Sequence, residues 1–261
     1  MKALSGYVAS LCLHPFPPGE EKPPRVEEIP YDPNQLVPVL EYHNPSYVWN
    51  INENQRIYMT PAIYERQLRI ISEMDFYTPS QQDILGWVEG KHGLPQRSLF
   101  IRIDLGVPYK DYEDGFGLLE AYRLRGMLFI NTGQIPEVST EHKVGWDVIS
   151  DFVCRGVLIP GSHGTNHPHY SRISEADALT DALGSKEEIE GRLARPIYFF
   201  AFPYDASAHE DALLEHFSLL FGAYGNFARA GNPLVGTFYP YARGREFDWE
   251  GFRENLSSYD E

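Results

Sequence analysis

Short apolar, β-branched segments alternate with helical stretches along most of this chain, and that alternation narrows its fold more than any other feature. Leu36-Val37-Pro38-Val39-Leu40-Glu41-Tyr42-His43 reads as a buried strand, with Pro38 near its start where a missing N–H does least harm. Thr60-Pro61 is an N-cap followed by Pro at the first helical position. Ile63, Gln67, Ile70, Ile71 and Met74 follow at three- and four-residue steps, so the spacing predicts a helix over 61–74. Thr78-Pro79-Ser80 opens a second, short helix that Gly90 and Gly93 end. Strands are predicted over 98–104, 127–130, 157–159 and 197–202. Between them lie a helix near 115–125, one striped by Trp146, Ile149 and Val153, and one capped by Ser174. Strands regularly separated by helices form parallel β-α units, so the expected class is α/β, a distorted (β/α) barrel of seven or eight parallel strands.

The barrel domain is expected over 36–261, preceded by an arm over 1–35. Eight of the 20 prolines lie between Pro15 and Pro38, where fixed φ and missing donors favour an extended linker or strap. Segment 1–13 has one Lys and a mildly apolar stretch, a weak secretory signal with no small-x-small cleavage site before His14. No run approaches the ~18 apolar residues of a membrane span, so no integral membrane segment is expected. The 22 Lys and Arg against 37 Asp and Glu leave a formal charge of −15, which argues against nucleic acid as a partner, since phosphate binding needs a basic footprint. Cys12 and Cys154 are too few for a disulfide framework or a thiolate zinc site, so metal or nucleophile chemistry must use His, Asp, Glu or Ser.

In β-α barrels the loops after the C-terminal ends of the strands carry the chemistry. Three such ends stand out: Asp104, the loop Gly161-Ser162-His163-Gly164-Thr165-Asn166-His167-Pro168-His169, and Phe202-Pro203-Tyr204-Asp205. Spacing of the His163-x-x-x-His167 type lets two imidazoles meet on one cation, yet a polar surface loop contains it as readily. His14, His92, His142, His209 and His216 lack matching partners and are read as surface residues. Asp111, Glu113 and Asp114 are read as a helix-start charge run.

Taken together, these motifs resemble the polysaccharide deacetylases, the metal-dependent carbohydrate esterase family 4. Pro38-Val39-Leu40-Glu41-Tyr42-His43 resembles the family's PVLMYH, Gly161-Ser162-His163 with His167-Pro168 its GSHTxxHP, and Phe200-Ala201-Phe202-Pro203-Tyr204 its FAYPYG. The resemblance implies hydrolysis of N- or O-acetyl groups of a polysaccharide by a metal-bound water. It implies Asp104 as general base, His163 and His167 as ligands of a divalent metal, zinc first, and Tyr42, His43, Phe202, Pro203 and Tyr204 as substrate-binding residues. It also implies an extracellular or cell-envelope location.

The departures from the pattern are chemical. Where the family has TFDDG this chain has Arg102-Ile103-Asp104-Leu105-Gly106, so the metal-ligand Asp is Leu105, which cannot coordinate a cation. Two His fall short of the three protein ligands usual at a catalytic zinc. Strand parity puts Arg102 with Asp104 on one face, and Glu41 with His43. A buried Arg102 needs a partner, so the expectation is that it pairs with Glu41 or Asp104 and plugs the metal position. The rival expectation makes Glu41 or Asp104 a substitute third ligand. Two functions stay open: deacetylation, and a catalytically impaired protein that binds glycan without hydrolysing it.

Overall fold

The computed structural model describes residues 26–43, 48–50, 56–240, 242–243 and 247–258; segment 1–13, read above as a weak signal, lies outside them. The elements in chain order are β1 (Leu36–Tyr42), β2 (Val48–Asn50), β3 (Arg56–Tyr58), α1 (Pro61–Glu73), α2 (Gln81–Val88), β4 (Phe100–Leu105), α3 (Asp111–Ala121), β5 (Gly126–Ile130), α4 (Trp146–Cys154), β6 (Leu158–Ser162), α5 (Glu175–Leu193), β7 (Phe199–Ala201), α6 (Glu210–Leu214), β8 (Leu219–Phe221), β9 (Phe227–Arg229), β10 (Leu234–Val235), β11 (Ala242–Arg243) and α7 (Trp249–Ser257).

Eight strands form one sheet in the order β10-β8-β7-β6-β5-β4-β1-β9. The first seven are mutually parallel and β9 runs antiparallel to β1. The two edges meet through the chain that follows β10. Phe238 N–H donates to Val39 O at 2.8 Å, its carbonyl accepts from Glu41 N–H at 2.9 Å, and Gly236 N–H donates to Phe227 O at 3.3 Å. The result is a nearly closed barrel with helices outside. A second, small antiparallel sheet has the order β11-β3-β2.

Local chemistry explains the helix starts. Thr60 caps α1 by accepting from Ile63 N–H, and Ser80 with Asp83 forms a reciprocal capping box on α2. The acidic residues Asp111, Glu113 and Asp114 occupy the first turn of α3, where they complement the helix dipole. That helix begins earlier than the 115–125 expected from the sequence.

Side chains divide by strand parity into two cores. Val37, Val39, Phe100, Met127, Phe129, Ile159, Phe199, Ala201, Leu219 and Phe221 fill the barrel, together with Ile84 and Trp87 of α2 and Val26 of the Pro-rich arm. Leu40, Tyr42, Ile101, Ile103, Leu105, Leu128, Ile130, Phe200 and Phe202 face the surrounding helices. His92 is not at the surface as expected. It is 8% exposed and packs against Gly86, where an added Cβ would lie 2.1 Å from its Nε2. Among the described residues no helix is long and apolar enough to cross a membrane.

Candidate functional site

The apolar filling of the barrel stops at the C-terminal ends of β1 and β4. Glu41 and Arg102 are direct partners in the β1–β4 register, and parity points both, with Asp104, into the barrel. All three are nearly fully buried. Arg102 donates from Nε to Asp104 Oδ1 at 2.8 Å and from Nη2 to Asp104 Oδ2 at 2.6 Å. Its Nη1 lies 2.6 Å from Glu41 Oε2 and donates to Asp205 Oδ1 at 3.1 Å. Thr237 completes the arrangement by donating to Glu41 Oε2 at 2.7 Å. The guanidinium sits above the ring of Phe129, 5.9 Å from its centroid, at the boundary between apolar core and polar site. Arg102 thus pairs with both carboxylates suggested by the sequence and with a third.

Burial works against the charge of Arg102, and the Asp104 and Glu41 carboxylates more than offset it, so the side chain stays a cation. Burial also raises Asp104, yet the guanidinium outweighs it and holds the carboxyl at about 2. Glu41 goes the other way, because burial pushes its carboxyl up further than Arg102 pulls it down.

Across from Asp104 stands the His loop. His163 is buried, and its Nδ1 lies 2.8 Å from Ala201 O, an atom that only accepts. Nδ1 therefore carries the proton and Nε2 presents a lone pair, 3.6 Å from Asp104 Oδ2. Burial lowers the His163 pKa to about 4, so the ring is neutral at pH 7. The His163 and His167 rings meet edge to face with centroids 4.8 Å apart, and burial lowers His167 as well. Asp181 of α5 builds this loop. Its carboxylate accepts from Thr165 N–H at 3.2 Å, Asn166 N–H at 2.8 Å, Asn166 Nδ2 at 2.8 Å and Tyr170 OH at 2.9 Å. Gly164 sits against it at φ +75°, where a Cβ would fall 2.2 Å from Asp181 Oδ2.

These groups floor a cleft of about 420 Å³, walled by His43, Val107, Tyr109, Asn131, Tyr204 and Tyr239 among others. Tyr204, 65% exposed and at φ 59°, stands at the mouth with its ring against His167 and stacked on His169. His43 stacks on Tyr239. The structure brings Asp104, His163, His167, His43, Tyr204, Glu41 and Arg102 to the cleft. It does not bring Tyr42, Phe202 or Pro203 there. Tyr42 packs edge-on against Tyr64 and Phe202 against Tyr170, both on the helix side of the sheet where parity sends them, and Pro203 is buried. Thr237, Tyr239 and Asn131 were missed as site residues, and Asp205 was noted at a strand end without a role. Asp205 follows a strand-end motif that is visible in the sequence, whereas Thr237 and Tyr239 reach the site only through barrel closure.

The metal implied by the family resemblance does not fit the arrangement in this structure. Leu105 is fully buried on the helix side and offers nothing to the cleft. Asp104 has both oxygens committed to Arg102. Among the described residues one group of three potential ligands converges, Glu41, His43 and Asp104, with ligand atoms within 4.8 Å of one another, and the Arg102 guanidinium binds two of the three.

Residues 91–216 match the family model for polysaccharide deacetylase. No match was found among curated protein sequences. Among solved structures the chain is similar to the deacetylase PplD of Streptococcus pyogenes in complex with acetate, at 16% identity and TM-score 0.72, covering 87% of this chain and 99% of that one. It is also similar to IcaB from Ammonifex degensii, at 16% identity and TM-score 0.69, covering 89% and 100%. A third is a de-N-acetylase from Aggregatibacter actinomycetemcomitans, at 14% identity and TM-score 0.67, covering 85% and 100%. At these identities the structural likeness is one of fold, and it extends well beyond the segment matched by the family. Residues 91–216 thus match the polysaccharide deacetylase model, and the chain as a whole shares the fold of these structures, a distorted (β/α) barrel.

Proposed function

We propose that the cleft takes an acetylated segment of a polysaccharide and releases its acetyl groups by hydrolysis. The observation that carries this reading is the gap between His163 Nε2 and Asp104 Oδ2. Two acceptors face each other across 3.6 Å, too far to bond directly and without a donor between them. A water on the cleft side of the pair, within about 3 Å of both, donates to Nε2, is held close to Oδ2, and turns a lone pair toward an acyl carbon in the cleft. As its oxygen bonds to that carbon, a water proton passes to His163 Nε2. The tetrahedral centre then collapses, the C–N or C–O bond breaks, and Nε2 returns its proton to the departing amine or alcohol; the acetic acid left behind gives its remaining proton to the amine or to solvent and leaves as acetate. Asp104, pinned by Arg102 and held at about 2, orients the water as an anion. His163 is the stronger base of the two and takes the proton. The exposed ring of Tyr204 offers a sugar face to stack on. A glycan substrate of this kind goes with an extracellular or cell-envelope site of action.

One observation favours a second reading, binding without hydrolysis. The guanidinium of Arg102 engages Asp104, Glu41 and Asp205, so these carboxylates are committed to it rather than open to a cation that would polarise an acyl carbonyl. Acetate release from a panel of N- and O-acetylated glycans, with and without chelator, separates the readings when wild type is run beside His163→Ala. Release that survives the chelator and is lost in the variant supports hydrolysis. Binding of the same glycans with no acetate released supports the second reading. Neither release nor binding refutes both.

A further inference from the structure

We propose that Glu41, His43 and Asp104 form a divalent-cation site that the guanidinium of Arg102 keeps shut, so that the native chain excludes metal and loss of the guanidinium admits it. The proposal goes beyond the functional reading above and stands whether or not the cleft hydrolyses its ligand. Two carboxylates and an imidazole converge with ligand atoms within 4.8 Å of one another, a donor set suited to zinc or a similar borderline cation. His43 is partly exposed at the cleft wall, which gives an ion a way in from solvent.

The resident cation is part of the protein. Arg102 places Nη1 2.6 Å from Glu41 Oε2 and Nη2 2.6 Å from Asp104 Oδ2, occupying the two carboxylates that the site would need. The β1–β4 register makes Glu41 and Arg102 neighbours in the sheet, so the guanidinium cannot swing away without leaving both carboxylates buried and unpaired. Three carboxylates, from Glu41, Asp104 and Asp205, surround this single guanidinium. Removing it takes away the cation beside these carboxylates, which then either hold protons or draw in a cation from solvent, and a divalent ion held by two of them and His43 does this best.

Wild type, Arg102→Ala and Arg102→Gln would be equilibrated with zinc, dialysed and assayed for bound metal, with circular dichroism as the check on folding. The expected result is negligible zinc in wild type and near one zinc per chain in both variants. Adding His43→Ala to Arg102→Gln should weaken zinc binding at least tenfold. Stoichiometric zinc in wild type would overturn the proposal, as would folded variants that retain none. If neither variant folds without metal, each is refolded with zinc present. Recovery of the native spectrum supports the site, and failure to recover it overturns the site. Acetate release plays no part in this readout, so failure here and failure of the hydrolytic reading are separable.

Discussion

Substituting Asp181 by alanine tests whether the His loop is held from outside the cleft. The carboxylate is 7% exposed and accepts two backbone N–H donors, one side-chain amide and one phenol. A hydrogen bond to a charged group contributes about 1.5–3 kcal/mol, but four bonds to one carboxylate are not additive, and some of the freed donors regain water. Each buried donor left without a partner costs about 1–3 kcal/mol, partly recovered from water, so a net loss of about 3–4 kcal/mol is expected. For a domain of this size that is a fall of roughly 6–16 °C in Tm. The assay is thermal unfolding of Asp181→Ala beside Asp177→Ala, which removes an exposed carboxylate four residues earlier on the same helix and should shift Tm by a degree or two. Acetate release or glycan binding measured well below both melting points should also fall in Asp181→Ala, because Asn166 and Thr165 sit between His163 and His167. A shift no larger than that of Asp177→Ala would refute the reasoning.

Three further outcomes follow from the geometry. The folded-state pKa of His163 lies at about 4, below the ordinary 6.5, so the unfolded chain binds the extra proton and stability should fall as pH drops from about 6.5 toward 4. About 3 kcal/mol is at stake from that one group, and His163→Phe should flatten the Tm profile over that window, where an unchanged profile would rule it out. Gly164→Ala forces a Cβ into a left-handed backbone and against Asp181, so it should cost more than ~2 kcal/mol; a chemical denaturation midpoint equal to wild type would contradict this. Tyr204→Ala removes an exposed ring at the mouth and should weaken glycan binding about tenfold with Tm unchanged, read by calorimetric titration. Equal affinity would remove Tyr204 from the substrate surface.

Much of the architecture was legible from local chemistry. The caps at Thr60, Ser80 and Ser174 and the apolar strand cores depend on neighbours within a few residues, so pattern reading located α1, α2, α5, β1, β4 and β5. Parity within β4 put Arg102 and Asp104 on one face and, in β1, grouped Glu41 with His43, which is why a buried ion pair at Arg102 could be anticipated. The same parity sends Tyr42 and Phe202 to the helix side, a consequence that motif resemblance alone obscured. Leu105 marked a departure from the pattern that the motifs resemble, but not the arrangement around Arg102 beside it.

The rest was settled by contacts between residues far apart in the chain. Thr237 reaches Glu41, 196 residues away, because the segment after β10 closes the barrel against β1. Asp205 reaches Arg102 across 103 residues, because β7 and β4 end at the same rim. Sequence alone determined the period of the elements and the residue types at the strand ends, since those follow from local sterics, capping and polarity. The tertiary structure decided which carboxylates share the guanidinium of Arg102 and which histidine faces Asp104. Those choices depend on strand order, register and closure, and no short-range pattern encodes them.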